Sequence, residues 1–301
     1  MSRAKISNVI AGIACLFVVA AGAVSRDDLR YNQVCQKASH NSYHHDQDIQ
    51  TQVLQHQVQT LEFDAHLRSP GVVSRENAPP GDWFVYHWAK DPFTNCRLLS
   101  DCFHQLRAYH DAHPEHQVIT IFFDVNELRA PGHARADFYA LIRRSFPAGA
   151  VLGPPDFMAA CPGAKSLQEA VTNPGCGWPR LQDLQGKFMM VVAGGDQLFR
   201  AAGYDPLRDL VFLAEYHTEA KNIHRYPDCI FFNFRGPLGF ARAVQEAGFV
   251  SRAYVLNSPE DYQQARKNGA HLLATDKIDI RKFPWTALSS DPAWPFGIPG
   301  E

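Results

Sequence analysis

The sequence predicts an α/β fold, with eight parallel strands alternating with helices and closing into a barrel. Three observations predict it. Eight short apolar runs recur along the 301 residues. Segments of helical period separate many of them. Several runs end on a polar or charged side chain, among them His40, Asp64, Asp124, Glu215 and Asn233. Strand–helix alternation argues for a parallel sheet. Eight units argue for closure, with functional groups at the C-terminal strand ends. The alternative is an open α/β sheet in which those placements are chance.

The expected strands span 34–40, 60–66, 118–124, 187–193, 209–215, 228–233, 252–256 and 271–275. Helical patterns mark 49–57, 101–112, 134–145, 238–247 and 259–268. The first run ends in Ala38-Ser39-His40-Asn41-Ser42-Tyr43. Imidazole suits acid or base work near neutral pH, and an amide oxygen ligates hard cations. The second run holds Leu61-Glu62-Phe63-Asp64. Alternate strand residues share a face, which sets Glu62 and Asp64 side by side, about 6.6 Å apart at the backbone. Two carboxylates on one face suit Ca²⁺ or Mg²⁺; without a cation they repel, and one pKa rises. The competing reading is an exposed acidic pair. Apolar Leu61, Phe63 and Ala65 argue against a simple solvent face. His66 shares the carboxylate face and is a supporting candidate.

Residues 69–82 are rich in Pro and Gly and precede Trp83-Phe84-Val85-Tyr86-His87-Trp88, so they are expected to loop over the site. The aromatic run would hold the His87 ring. Among fourteen histidines, His44, His45, His104, His110, His113 and His116 are read as structural or surface residues. The third run ends in Asp124-Val125-Asn126-Glu127, which makes Asp124 the next ligand or base and Glu127 the second choice. Residues 148–180 read as an extended loop stapled through Cys161 and Cys176. The Pro- and Trp-rich tail, 283–301, is expected to pack on the bottom or side of the barrel; membrane contact by its aromatics is the lesser alternative.

Taken together, His-Asn, Glu-x-Asp, Tyr-His and an apolar strand ending in acid resemble the phosphatidylinositol-specific phospholipase C superfamily, and within it the calcium-dependent bacterial branch. The motifs match from Gln33 to Glu127, and beyond that only the strand rhythm does. The resemblance implies a TIM-type (β/α)8 barrel, regular or distorted. It also implies bound Ca²⁺, with Mg²⁺ as second choice, and cleavage of phosphatidylinositol to diacylglycerol and a cyclic inositol phosphate. Carried over, His40 would stabilise the charged phosphorane and His87 would protonate the leaving oxygen. Asn41, Glu62, Asp64 and Asp124 would hold the metal, one carboxylate helping to deprotonate the inositol 2-hydroxyl. Asp124 stands where eukaryotic relatives have Glu. Glycerophosphodiesterases carry Glu-x-Lys there and Arg-Gly after the first histidine, against Asp-x-Asn and Asn41-Ser42 here, which favours the phospholipase branch. Lys90, Lys165, Lys221 and Arg235 are substrate-binding candidates by position only. The rival readings are a glycerophosphodiester phosphodiesterase or sphingomyelinase D-like enzyme on the same barrel, and a secreted phospholipid- or phosphosugar-binding protein without turnover.

The N-terminus reads as an export signal, 1–23. Basic Arg3 and Lys5 precede an apolar stretch, 9–20, too short to span a bilayer comfortably, and Ala21-Gly22-Ala23 fits a cleavage site. An uncleaved anchor is the alternative. Cys15 lies too early for a lipoprotein box. Cleavage removes those two basic residues and no acid, which leaves 27 Lys+Arg against 31 Asp+Glu and a net charge of about −4. No basic run points to nucleic acid or to a polybasic membrane patch. The expectation is a secreted or periplasmic monomer meeting its phospholipid at a membrane surface. The whole chain is 46% apolar, and residues 24–301 suffice for one barrel domain. Beyond the signal, six cysteines remain, and an even number in an exported chain argues for disulfides. Cys96–Cys102 and Cys161–Cys176 close short loops, leaving Cys35 and Cys229 as buried thiols. Zinc is the alternative, without CxxC spacing to support it.

Overall fold

The computed structural model describes residues 25–71, 76–88, 90–91, 93–125, 133–216 and 218–300. The expected signal segment, Asn126 and Glu127 lie outside them. Eight parallel strands close the barrel: Cys35–Ser39 (β1), Val58–His66 (β2), Ile119–Val125 (β3), Phe188–Gly194 (β4), Phe212–Glu215 (β5), Cys229–Phe234 (β6), Val250–Ala253 (β7) and Leu272–Thr275 (β8). Each pairs with the next, and β1 pairs with both β2 and β8. The seventh strand starts two residues before the expected 252–256. Short antiparallel pieces flank the closure: Phe84–Val85 joins β2 and Phe296–Gly297 joins the start of β1. The tail therefore packs at the bottom, where strands begin.

Alternation along the strands separates two environments. Leu61, Phe63, Ile121, Phe123, Val192 and Leu213 belong to one apolar cluster with the helices Ile49–His56 (α1), Leu99–Ala112 (α2) and Arg135–Ser145 (α3). The intervening residues fill the barrel. Its lower layer is polar and largely hydrogen-bonded: the Tyr31 hydroxyl pairs with Thr120 Oγ1 at 2.6 Å, and Thr60 Oγ1 donates to Gln36 Oε1 at 3.1 Å, while Gln36 Nε2 is buried without a partner among the described residues. Tyr31 plugs the bottom, stacked on Trp178 at 5.5 Å. Aromatics follow, with Phe122, Phe212 and Phe231 edge to face. Above them polar side chains return, so a dry packed core carries a charged upper layer.

Residues 148–180 are not an extended loop. They carry the helices Pro154–Ala160 (α4) and Leu167–Thr172 (α5), whose short lengths and Pro-rich start hide the helical period. Both expected disulfides are present, Cys96–Cys102 and Cys161–Cys176, and Cys35 and Cys229 are free and buried. Helix α5 docks at the start of β6 through Gln168, whose Nε2 reaches the carbonyls of Ile223 and Cys229. The helix Asp196–Ala201 (α6), also unanticipated, places Arg200 3.0 Å from Glu215. The helix Pro259–Lys267 is capped by Ser258 and starts with Pro, as its sequence favours. Among the described residues no helix is long and apolar enough to cross a membrane.

Candidate active site

At the end of β1 the backbone turns sharply, with Asn41 left-handed at φ 50°, a conformation Asn tolerates better than most residues. The turn aims the Asn41 N–H at Glu62 Oε2, 3.0 Å away, and Ser42 Oγ accepts from the Glu62 N–H at 2.9 Å. Tyr43 swings back so that its hydroxyl lies 2.7 Å from Asp64 Oδ2 and 3.2 Å from Asn41 Oδ1. Parallel register puts Asp64 beside Asp124, and Asp124 beside Gly194 at a shift in β4 pairing. A Cβ on Gly194 would fall 2.0 Å from Asp124 Oδ1, so the glycine makes room for that carboxylate.

Arg252 enters from β7, fully buried. Its guanidinium donates to Glu62 Oε2 at 2.7 Å and to Asn233 Oδ1 at 2.9 Å. It also stacks over Phe122 and Tyr254. The carboxylates consequently differ. Burial works to raise Glu62, but the charges of Arg252 and His40 and the Asn41 N–H outweigh it and hold Glu62 low. Burial raises Asp64 well above its ordinary value, and the Glu62 and Asp124 charges push it further, against the Tyr43 hydrogen bond. One carboxylate has its counterion; Asp64 sits in excess negative charge.

His40 is held by a partner the motifs did not reveal. Its Nδ1 lies 2.7 Å from Asp276 Oδ1, just past the end of β8. Its ring stacks on Tyr254, with centroids 5.9 Å apart. Asn257 Nδ2 donates to the other Asp276 oxygen at 2.5 Å. Burial works to raise Asp276, but the hydrogen bonds from His40 and Asn257 and the His40 charge bring it below the usual carboxylate value. His87 follows Phe84–Val85, half-buried, its ring 5.8 Å from His44 and 4.8 Å from Trp88. Burial, then the nearby His44 and His40, lower its pKa.

The barrel top therefore gathers His40, Asn41, Glu62, Asp64, Asp124 and His87. Glu215 does not join them, since it faces Arg200 outside the barrel. His66 supports a loop instead, with Nε2 2.9 Å from the Tyr86 carbonyl and its ring stacked on Tyr86. His45 Nε2 braces the His40 carbonyl at 2.9 Å. Of the basic candidates, Arg235 lines an adjoining cleft of about 430 Å³ with Asn233, Tyr216 and Tyr254, and Lys90 is exposed three residues beyond His87. Lys221 is paired with Glu219 at 2.9 Å. Lys165 adjoins the start of α5, near the opposite strand ends, and is not brought to this site. Its position in a stapled segment gave no sign of which end that segment covers. Residues 72–75 of the expected covering loop lie outside the described residues; 76–82 pack Ala78 against Phe84 and Tyr86.

Sequence reading missed Tyr43, Tyr254, Arg252, Asn257 and Asp276 as site residues, and had Asn233 only as a polar strand end. A signal existed for two: Arg252 is a charge inside a buried strand, and Asp276 directly follows the eighth apolar run. Among the described residues no three His, Cys, Asp or Glu side chains already converge as metal ligands. The donor set nevertheless fits a hard cation, because every candidate atom is oxygen and the charge around Asp64 exceeds what Arg252 neutralises.

No protein-family model matches the chain, and no curated protein does. Solved structures do. The chain resembles a calcium-dependent phosphoinositol-specific phospholipase C from a Gram-negative bacterium, Pseudomonas sp, with TM-score 0.71 and 20% identity over 91% of this chain and 96% of that one. A myoinositol complex of the Pseudomonas enzyme gives TM-score 0.69 at 21% identity, with the same coverages. A Ca²⁺-dependent phosphatidylinositol-specific phospholipase C from Streptomyces antibioticus gives 0.64 at 19% identity, covering 90% and 99%. At these identities the likeness is one of fold.

Proposed function

We propose that the chain is a calcium-dependent phosphodiesterase that cleaves phosphatidylinositol to diacylglycerol and a cyclic inositol phosphate. The observation that carries this reading is the gathering, at one barrel end, of the Asp276-held His40, His87, and a buried carboxylate cluster with uncompensated charge. Barrels of this fold in Pseudomonas and Streptomyces are calcium-dependent phospholipases C, which supports the choice of substrate and ion.

Asp276 holds His40 through Nδ1, leaving Nε2 for the phosphate. A protonated ring there meets the negative charge that grows on the non-bridging oxygens, and preorganised donors stabilise such charge strongly. Asn41, Glu62, Asp64 and Asp124 would hold Ca²⁺. When bound, the ion supplies charge neutralisation at phosphate and a lowered pKa for a bound hydroxyl. One carboxylate of the set would help take the inositol hydroxyl proton, and Asp64 is the candidate because Glu62 is already engaged by Arg252. His87 gives its proton to the glycerol oxygen as the phosphorus–oxygen bond breaks, a contribution of ~10²–10⁴-fold. Two disulfides fit an oxidising compartment, in keeping with export.

The test is hydrolysis of phosphatidylinositol with Ca²⁺ and with chelator, followed by phosphorus NMR. A cyclic phosphate that disappears on chelation is the expected result. Glycerol phosphate or ceramide phosphate from other lipids would replace this reading with a rival on the same barrel.

A further inference from the structure

Four histidines, His104, His110, His113 and His116, lie on α2 and in the turn after it, and the chemistry proposed above uses none of them. Two of them meet at the bottom of the barrel. His110 Nδ1 lies 3.1 Å from His116 Nε2, with the ring centroids 5.3 Å apart and the planes at 77°. His110 projects from the last turn of α2. His116 stands in the turn that leads into β3 and is only 6% exposed. Both rings pack on Phe188 at the start of β4, at 5.6 and 5.0 Å. The turn itself is fixed. The Gly186 N–H donates to the His116 carbonyl at 2.7 Å, and a Cβ on Gly186 would fall 2.2 Å from the Pro114 carbonyl oxygen. His116 Nδ1 lies 2.7 Å from the Gln117 carbonyl oxygen. A carbonyl only accepts, so Nδ1 carries the proton, and in the neutral ring Nε2 turns a bare lone pair toward His110.

We propose that His110 Nδ1 and His116 Nε2 bind a borderline divalent transition-metal ion, Zn²⁺ first. Bonds of about 2.0–2.1 Å in a tetrahedron place two zinc-bound nitrogens about 3.3 Å apart. These two nitrogens stand at nearly that separation, on rings that packing holds in place. The Gln117 carbonyl on the far nitrogen of His116 is the kind of partner that sets the tautomer and aim of a metal-bound imidazole. On binding, His110 carries its single ring proton on Nε2, so neither ring gains or loses a proton. Water completes the coordination from a cleft of about 510 Å³ lined by Tyr109, His113, Glu115 and His116. Two protein nitrogens make an open site rather than the closed four-ligand kind. Imidazole nitrogen favours zinc, whereas the all-oxygen set at the other end of the barrel favours a hard cation. Bound zinc would tie the end of α2 to the turn that enters β3.

The site is independent of the phospholipase reading, and so is its test. The probe is Zn²⁺ added to the full chain carrying ¹⁵N-labelled histidine. His110 Nδ1 and His116 Nε2 should shift as ligated nitrogens on adding Zn²⁺ and stay put on adding Ca²⁺. By calorimetry, His110→Gln and His116→Gln should each weaken this zinc event at least about tenfold, since losing even the partner that orients a ligand costs about 10–100-fold. His104→Gln, at an exposed position on α2, should bind as the unaltered chain does. Zinc held by the active-site carboxylates survives both ligand substitutions, which separates it from this site. Because His116 is buried, His110→Gln, at a partly exposed helix position, carries the test where His116→Gln fails to fold. Ring signals that ignore zinc, a zinc event unchanged in His110→Gln, or an equal loss in His104→Gln would each overturn the proposal and leave a hydrogen bond between two imidazoles.

Discussion

His40 Nδ1 and Asp276 Oδ1 are 2.7 Å apart, although 236 residues separate them in the chain. The pair joins the first barrel strand to the last, so closure of the barrel is what assembles it. Asp276 accepts on one oxygen from His40 and on the other from Asn257, which fixes the plane of the carboxylate. In Asp276→Asn the single amide oxygen can serve Asn257 or His40 but not both, so either the Asn257 contact is lost or an N–H replaces the acceptor at His40 Nδ1. Turnover should fall by roughly 10²-fold or more, on the scale of losing a positioned acid or base. Folding, read by circular dichroism, should hold. Turnover within a few-fold of the unaltered chain would make Asp276 a structural residue only.

His87 has a different task and a different signature. If it protonates the leaving oxygen, His87→Ala should lower phosphatidylinositol turnover by ~10²–10⁴-fold. A phosphodiester with a nitrophenol leaving group, which departs without a proton, should lose far less. Ca²⁺-induced thermal stabilisation should be unchanged. Equal losses on both substrates would show that His87 serves binding or structure.

The carboxylate cluster makes a prediction about stability and pH. Burial and the charges of Glu62 and Asp124 raise the folded pKa of Asp64 above its ordinary 3.8. Folding therefore favours the protonated form. That contribution is full below the unfolded value and is lost as pH rises through the folded one. At neutral pH the cation-free protein carries a repulsion that a bound cation would remove. Asp64→Asn should raise the cation-free Tm by a few degrees at neutral pH and by less in acid. It should also abolish most of the rise that Ca²⁺ gives the unaltered chain. A Ca²⁺ response that survives the substitution would take Asp64 out of the metal set.

How much of this was legible beforehand follows from where each interaction lives. The eight strands were readable because each is a short apolar run, and parallel strands buried on both faces must be so. Glu62 and Asp64 were readable because strand alternation is local. Arg252 was not: its partners Glu62 and Asn233 lie on other strands, and only closure brings a β7 cation to a β2 carboxylate. Asp276 was missed for the same reason, as was the outward turn of Glu215 toward Arg200. Helices α4, α5 and α6 span only seven, six and six residues, too few turns for a periodic signal. Lys165 failed because a basic residue in a connecting segment says nothing about the barrel end it decorates.

Gly194 offers a test of site geometry at a residue with no chemistry of its own. Its missing Cβ leaves the space that Asp124 fills; an added methyl would fall 2.0 Å from Oδ1 and 2.2 Å from Cγ. Backbone on both strands is fixed by the barrel, so in Gly194→Ala the Asp124 carboxylate must rotate away. An off-rotamer side chain costs only ~0.5–1.5 kcal/mol, so urea unfolding should register a small change. Function should register a large one, because a displaced carboxylate no longer faces Asp64. Turnover should drop at least about tenfold and the Ca²⁺ response should weaken, on the scale of a pair in contact. Asp124→Asn should do the same, and the double variant should be little worse than either single one, since both remove one carboxylate from one place. Full turnover with an unaltered Ca²⁺ response in Gly194→Ala would mean that the Asp124 orientation, and with it the Asp64–Asp124 pairing, does not matter to the chemistry.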